Sequence, residues 1–154
     1  MSGNEAHTRH QTRHKLFTHL GLQRAVVEHI PLVAIAGPST DPGAGWKDAG
    51  LIQYRKGSTF YSEVNEYLSQ NHLEPEVVGE ADDPFLLVEA ASRGEFVAIV
   101  PASAARDALT AGRIRVLAQI ESVHAAVHAV YQDGTSAELA RRAIESLIDA
   151  SKRA

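Results

Sequence analysis

Apolar residues come in short blocks separated by glycine, proline and small polar residues, and the blocks alternate between two periods. Ile30-Pro-Leu-Val-Ala-Ile-Ala36 is a compact apolar run stopped by Gly37-Pro38, which has the length and the breaker of a strand. Pro38 to Gly45 is rich in Gly, Pro, Ser and Asp and reads as a loop. A short strand from Gly50 to Tyr54 follows. Arg55-Lys56-Gly57-Ser58-Thr59 then turns into a helix running to Gln70, with Phe60, Val64, Tyr67 and Leu68 at helical spacing and Asn71 as a stop. After Pro75 comes a strand from Glu76 to Gly79. Asp82-Asp83-Pro84 reads as a helix start, since Asp83 can cap and proline suits the first helical position. That helix runs through Phe85, Leu86, Leu87, Val88, Ala90 and Ala91 and stops at Gly94.

Phe96-Val-Ala-Ile-Val100 is the clearest strand, apolar throughout and ended by Pro101. An unbroken apolar strand is what a sheet covered on both faces requires. Ser103 opens an Ala-rich helix closed at Gly112, Ile114 to Ile120 reads as a strand, and His124 to Tyr131 as another. Asp133-Gly134 turns the chain. Thr135 and Glu138 stand at capping-box spacing before a last helix with Leu139, Ala143, Ile144, Leu147 and Ile148 as its expected buried stripe. Before Ile30, Leu16, Leu20, Val26 and Val27 predict only a weak helix or a loose lead-in. Strands alternating with three-turn helices predict an α/β fold, a mostly parallel twisted sheet with helices on both faces.

Ligands in such sheets sit beyond the C-terminal ends of the strands. Three segments meet that description, Arg55 to Thr59, Ala81 to Pro84 and Pro101 to Ser103, and each leads into a helix whose first N–H groups can face an anion. Gly57, Ser58 and Thr59 can hold a carboxylate through amides and hydroxyls, or simply cap the helix. Asp82 and Asp83 can meet a cation or effector, or cap theirs. Two acids at a strand end also fit a receiver domain. That reading needs a lysine after a late strand, and Lys15, Lys47, Lys56 and Lys152 are the only lysines.

The chain has 154 residues, enough for one real core, with 44% apolar and 22% charged residues. It has no cysteine, which removes disulfides and thiol chemistry. The net charge of −4 lacks the basic footprint of a nucleic-acid binder. No apolar run approaches the roughly 20 residues that cross a bilayer, and the polar start has no secretory core, so a cytoplasmic protein is expected. Residues 1–21 read as a disordered or weakly helical His/Arg-rich tail, including Arg9, Arg13 and Lys15; residues 22–154 form the folded part. His7, His10 and His14 have helical spacing, but in a flexible tail adventitious metal binding is the better account, and no metal site or cofactor is expected. His124 and His128 would lie about 13 Å apart along a strand, too far for one ion. No Gly-x-Ser-x-Gly elbow, Gly-rich phosphate loop or His-Glu-x-x-His occurs. Trp46, Phe60, Phe85 and Phe96 read as core or loop anchors.

Leu86-Leu-Val-Glu-Ala-Ala-Ser-Arg-Gly94-Glu-Phe-Val-Ala-Ile-Val-Pro101, continuing to Leu109-Thr-Ala-Gly-Arg-Ile114, resembles the effector-binding domain of LysR-type transcriptional regulators. Glu28-His-Ile-Pro-Leu-Val-Ala-Ile35, Leu51-Ile-Gln-Tyr-Arg-Lys-Gly-Ser58 and Val127-His-Ala-Val-Tyr131 with the last helix agree with it in order and spacing. Glu95-Phe96 departs from the family's usual second glycine. The resemblance implies one lobe, the second, of a type 2 periplasmic-binding-protein fold with the returning C-terminal helix, and hinge strands near Leu32 to Ala36 and Ala125 to Tyr131. It implies a sensing module for a small-molecule effector, a carboxylate or other anion, with Arg55, Gly57, Ser58, Thr59, Asp82, Asp83 and Pro101 as ligand-binding candidates. A first lobe and a DNA-binding helix-turn-helix are not found in this sequence. The expected partners are therefore a second copy in a homodimer or another regulator chain, without direct nucleic-acid or membrane contact. The alternatives are a small α/β enzyme or carrier domain and a non-functional regulator fragment; no catalytic residues are assigned.

Overall fold

The computed structural model describes residues 21–121 and 125–152. They form two compact units, 30–125 and the remainder, and the chain passes between them at His29–Ile30 and at Ala125–Ala126.

The larger unit holds β2 (Leu32–Ala36), β3 (Gly50–Gln53), α1 (Tyr61–Gln70), β4 (Glu76–Glu80), α2 (Pro84–Arg93), β5 (Phe96–Pro101), α3 (Ala102–Thr110) and β6 (Arg115–Ile120). The strands form one sheet in the order β4-β3-β5-β2-β6. β4, β3 and β5 run parallel, as the alternation of strands and helices predicts. β2 is inserted antiparallel between β5 and β6, pairing Leu32 with Pro101 on one side and with Ile120 on the other. The two apolar runs singled out in the sequence, β2 and β5, are therefore neighbours at the centre. Every residue of β2 is buried, as is all of β5 from Val97 onward, because helices cover both faces. β2 belongs wholly to this sheet, so the first crossing lies before the Leu32–Ala36 segment rather than within it.

Each helix docks one apolar stripe on the core: Val64 and Leu68 from α1, Leu87, Val88 and Ala91 from α2, and Ala104, Ala105 and Ala108 from α3. Fully burying a side chain the size of Leu87 stabilises by about 1.5–3 kcal/mol. Gly94 ends α2 with its Cα under Phe96: a Cβ there would lie 2.6 Å from Phe96 Cε2, so the ring in the place of a second glycine is what the first glycine accommodates. Phe85 differs from its expected role as an anchor, being 66% exposed at the start of α2.

The smaller unit pairs β1 (Leu22–His29) antiparallel with β7 (Ala126–Gln132) and adds α4 (Ala137–Ser151). β1 corrects the expected weak helix or loose lead-in: Gln23, Arg24, Glu28 and His29 hide its character, but Arg24 pairs with Val130 and Ala25 with Ala129 across more than a hundred residues of chain. α4 begins at Ser136 with no side-chain cap, so the Thr135/Glu138 capping box does not form. Ile144 is buried and Ile148 half-buried, whereas Leu139 and Leu147, expected in the same stripe, are 71% and 56% exposed. The tail candidates His7, His10, His14, Arg9, Arg13 and Lys15 lie outside the described residues, as does His124. Arg24 Nε donates to His128 Nδ1 at 3.1 Å across the ribbon. Among the described residues no helix is long and apolar enough to cross a membrane.

Candidate ligand-binding site

Parallel β4, β3 and β5 finish on one edge of the sheet, and the loops beyond them carry the seven candidate residues. The edge is held closed behind these loops. Ala81 N donates to Gln53 O at 3.0 Å, which extends the β3–β4 ladder past the last strand residues. Gln53, a polar residue buried at the end of an otherwise apolar strand, donates to Asn65 Oδ1 at 3.0 Å, and Asn65 Nδ2 donates to Tyr61 O at 2.7 Å. This relay ties the first turn of α1 to the end of β3.

Arg55 and Asp82 are brought together. The guanidinium Nη2 is 3.1 Å from Asp82 Oδ2, and the Arg55 amide donates to Asp82 Oδ1 at 3.3 Å. Gly57, Ser58 and Thr59 form the turn between them and α1. Ser58 N donates to Arg55 O at 3.0 Å, and Gly57 has φ +99°, a conformation that glycine takes without strain. Neither hydroxyl caps the helix: its N-cap is Phe60, with no side-chain hydrogen bond. The simple capping account of Ser58 and Thr59 therefore does not hold, and α1 starts with first-turn N–H groups that no side chain caps.

Asp83 behaves as its sequence context predicts. It is the N-cap of α2, accepting from Phe85 N at 2.8 Å, with Pro84 at the first helical position. Pro101 closes β5 on the same edge and is buried; Ala102 N donates to Pro31 O at 2.9 Å. It stands two strands from the Asp82 loop, beside β2, and is not joined to the Arg55–Asp82 pair by a hydrogen bond.

One residue at this edge escaped the sequence reading. Tyr54, between Gln53 and Arg55, is 0% exposed, and its hydroxyl has no hydrogen-bond partner. Its ring packs on Phe60 with centroids 5.2 Å apart. Burial first, and then the charge of Asp83, push its pKa above the ordinary tyrosine value. The signal available was a polar-tipped aromatic directly following an apolar strand. Away from this edge, Glu89 has its carboxyl lowered by the hydrogen bond and charge of Arg93 and by Arg113, in an exposed cluster that links α2 to the turn after α3. Among the described residues no group of three or more His, Cys, Asp or Glu is arranged to hold a metal ion.

The fold is shared with solved regulators. The regulatory domain of HypT from Salmonella typhimurium in its apo form superposes with a TM-score of 0.64 at 19% identity, over 84% of this chain and 66% of that one. Full-length LysG from Corynebacterium glutamicum with bound effector Arg gives 0.61 at 19% identity, over 84% and 46%. The effector-binding domain of QuiR in complex with shikimate gives 0.61 at 12% identity, over 83% and 64%. The chain thus spans about two thirds of the HypT regulatory domain and under half of full-length LysG. No curated protein matches the sequence. The family model of the LysR substrate binding domain matches residues 13–152, and with the strand-end geometry in place the chain belongs to that family.

Proposed function

We propose that this chain is a cytoplasmic ligand-sensing module that binds a small carboxylate or similar anion at the loops Arg55–Thr59 and Asp82–Asp83, with Pro101 at their flank, and that it carries out no catalysis. The observation that carries this reading is the start of α1: an N-terminus without a side-chain cap, preceded by the hydroxyls of Ser58 and Thr59 and by the guanidinium of Arg55. Backbone N–H groups, hydroxyls and a nearby cation together favour a negative group. The strand-end acids have structural work, Asp82 in an ion pair and Asp83 in a helix cap, which supports binding over acid–base chemistry. LysG holds arginine and QuiR holds shikimate, both small molecules bearing a carboxylate, and this agrees with the chemistry of the loops.

The test is a thermal-shift and calorimetric titration with small carboxylates, repeated on Ser58→Ala/Thr59→Ala. Stabilisation of the native chain that falls about tenfold in affinity in the double variant supports the site. Equal binding by both proteins sinks it.

We also propose that the chain self-associates as a homodimer. Support comes from the smaller unit, a two-stranded ribbon with one helix, which by itself is marginal. Leu139 and Leu147 are both exposed, about two turns apart on α4, and a second copy would cover them.

A further inference from the structure

Among the described residues, Gln53 is the only one with an amide or charged side chain that is buried, at 6% exposed. It closes β3 two residues beyond Leu51, and alternate positions of a strand share a face. Leu51 is apolar and fully buried. A leucine or methionine at position 53 would continue that face with no polar group to desolvate, whereas a buried amide is costly unless it is bonded. Side chain and backbone of Gln53 are both bonded, toward different loops. Nε2 donates to Asn65 Oδ1 at 3.0 Å, and Asn65 Nδ2 donates in turn at 2.7 Å to the carbonyl of Tyr61, the first residue of α1. The backbone carbonyl of Gln53 accepts at 3.0 Å from the amide of Ala81, the residue before Asp82.

Apolar packing is non-directional, so Val64 and Leu68 hold α1 on the core without fixing its rotation. Hydrogen bonds fix both distance and angle. The Gln53–Asn65–Tyr61 relay therefore sets where the first turn of α1, whose N–H groups no side chain caps, stands relative to the end of β3. The Ala81 bond sets the Asp82 loop from the same residue. We propose that Gln53 is a positioning residue of the carboxylate site: it holds the start of α1 and the Asp82 loop, with the Arg55 that Asp82 grips, in one register, and meets no part of the ligand itself. This rests on the carboxylate reading above and adds to it what keeps the site preorganised. Binding groups need to be held within about 0.5 Å of the productive geometry, and residues behind the ones that touch the ligand supply that support.

The experiment is a calorimetric titration of the full chain with propionate and benzoate, on the native protein, Gln53→Met, Asn65→Ala and the double variant. Methionine matches the length of glutamine and removes the donor. Each single change is expected to weaken binding about tenfold, the lower end of what partners behind a ligating group are worth. The double variant should weaken it no further, because the relay is already broken. Stability should follow another order. Asn65→Ala strands Gln53 Nε2 without an acceptor and should melt lowest, whereas Gln53→Met and the double variant leave no buried amide unpaired and should melt higher. Affinity that drops equally in proteins of unequal stability is a result that a merely structural amide would not give. Native-like binding by Gln53→Met, or affinities that rank with the melting temperatures, overturns the positioning role and leaves the carboxylate reading intact. Should Asn65→Ala fail to fold, the native protein, Gln53→Met and the double variant decide between the same outcomes. A native chain that binds neither acid overturns both.

Discussion

Asp82 grips Arg55 at two points, taking the guanidinium on Oδ2 at 3.1 Å and the backbone amide on Oδ1 at 3.3 Å, and so staples the loop after β4 to the loop after β3. Both side chains are at least half exposed, so the ion pair itself contributes at most about 1 kcal/mol. Its larger effect is on charge at the site, because it occupies the guanidinium of the loop that leads into α1. Asp82→Asn keeps an oxygen for the amide and releases the guanidinium. The expected outcome is carboxylate binding several-fold tighter at low salt, the gain fading as ionic strength rises, with a urea midpoint close to native. Arg55→Ala should weaken the same binding. Titration of both variants at two salt concentrations checks this; unchanged affinity in both would remove Arg55 from the site.

Tyr54 also fixes how stability depends on alkaline pH. Burial and Asp83 raise its pKa in the folded chain, whereas in the unfolded chain it titrates at the ordinary value of 10.0. Above that pH the unfolded state releases the proton and the folded state keeps it. The contribution is therefore complete below pH 10 and is lost progressively as pH rises beyond it. Urea midpoints from pH 9 to 11 should fall more steeply for the native chain than for Tyr54→Phe. Parallel slopes would show that the phenol is not held neutral by the fold.

The strand-end loops were legible because local chemistry writes them. Asp83-Pro84 can do little but start a helix, and Gly57 supplies a turn whatever surrounds it. β2 and β5 were legible because strands buried on both faces need no polar residue. β1 was not, since its strand character comes from β7, far away in sequence, and half of its own residues are polar without a clean alternation. The antiparallel insertion of β2 is likewise a matter of pairing that periodicity does not encode. At the site, residue type suggested Ser58 and Thr59 as caps; only the start of α1 at Tyr61 shows that they are not. Tyr54 was hidden because solitary burial of a hydroxyl is a property of packing.

α4 shows the same limit and yields a third prediction. A ribbon two strands wide covers one stripe of a helix, here Ala137, Ile144 and half-buried Ile148, while the apolar pattern of α4 is wider than that. Leu139 and Leu147 are left in solvent. Leu139→Ser/Leu147→Ser should shift a dimer toward monomer in light scattering at micromolar concentration. The melting temperature extrapolated to low concentration should stay within about 2 °C, because surface changes of this kind are usually worth less than about 0.5 kcal/mol. A native chain that is already monomeric at that concentration would remove the homodimer.

The centre of the sheet sets how much of this depends on β2. Ile35 is fully buried, paired with Ala98 of β5 on one side and Val116 of β6 on the other, so it has no solvent side toward which a cavity could relax. Truncation to alanine should cost about 2–5 kcal/mol, the usual range for an isoleucine lost from a rigid core. That is a large part of the 5–15 kcal/mol typical of a folded domain. Trp46 is the chain's single tryptophan and is buried in the same unit, so its fluorescence reports the unfolding of this sheet. Ile35→Ala should bring the urea midpoint of that signal down sharply without changing the slope, whereas Ile35→Val should lose only about 0.5–1.5 kcal/mol. Equal midpoints for the two variants would mean that neighbouring side chains collapse into the space, and that β2 is less rigidly held than its burial on both faces implies.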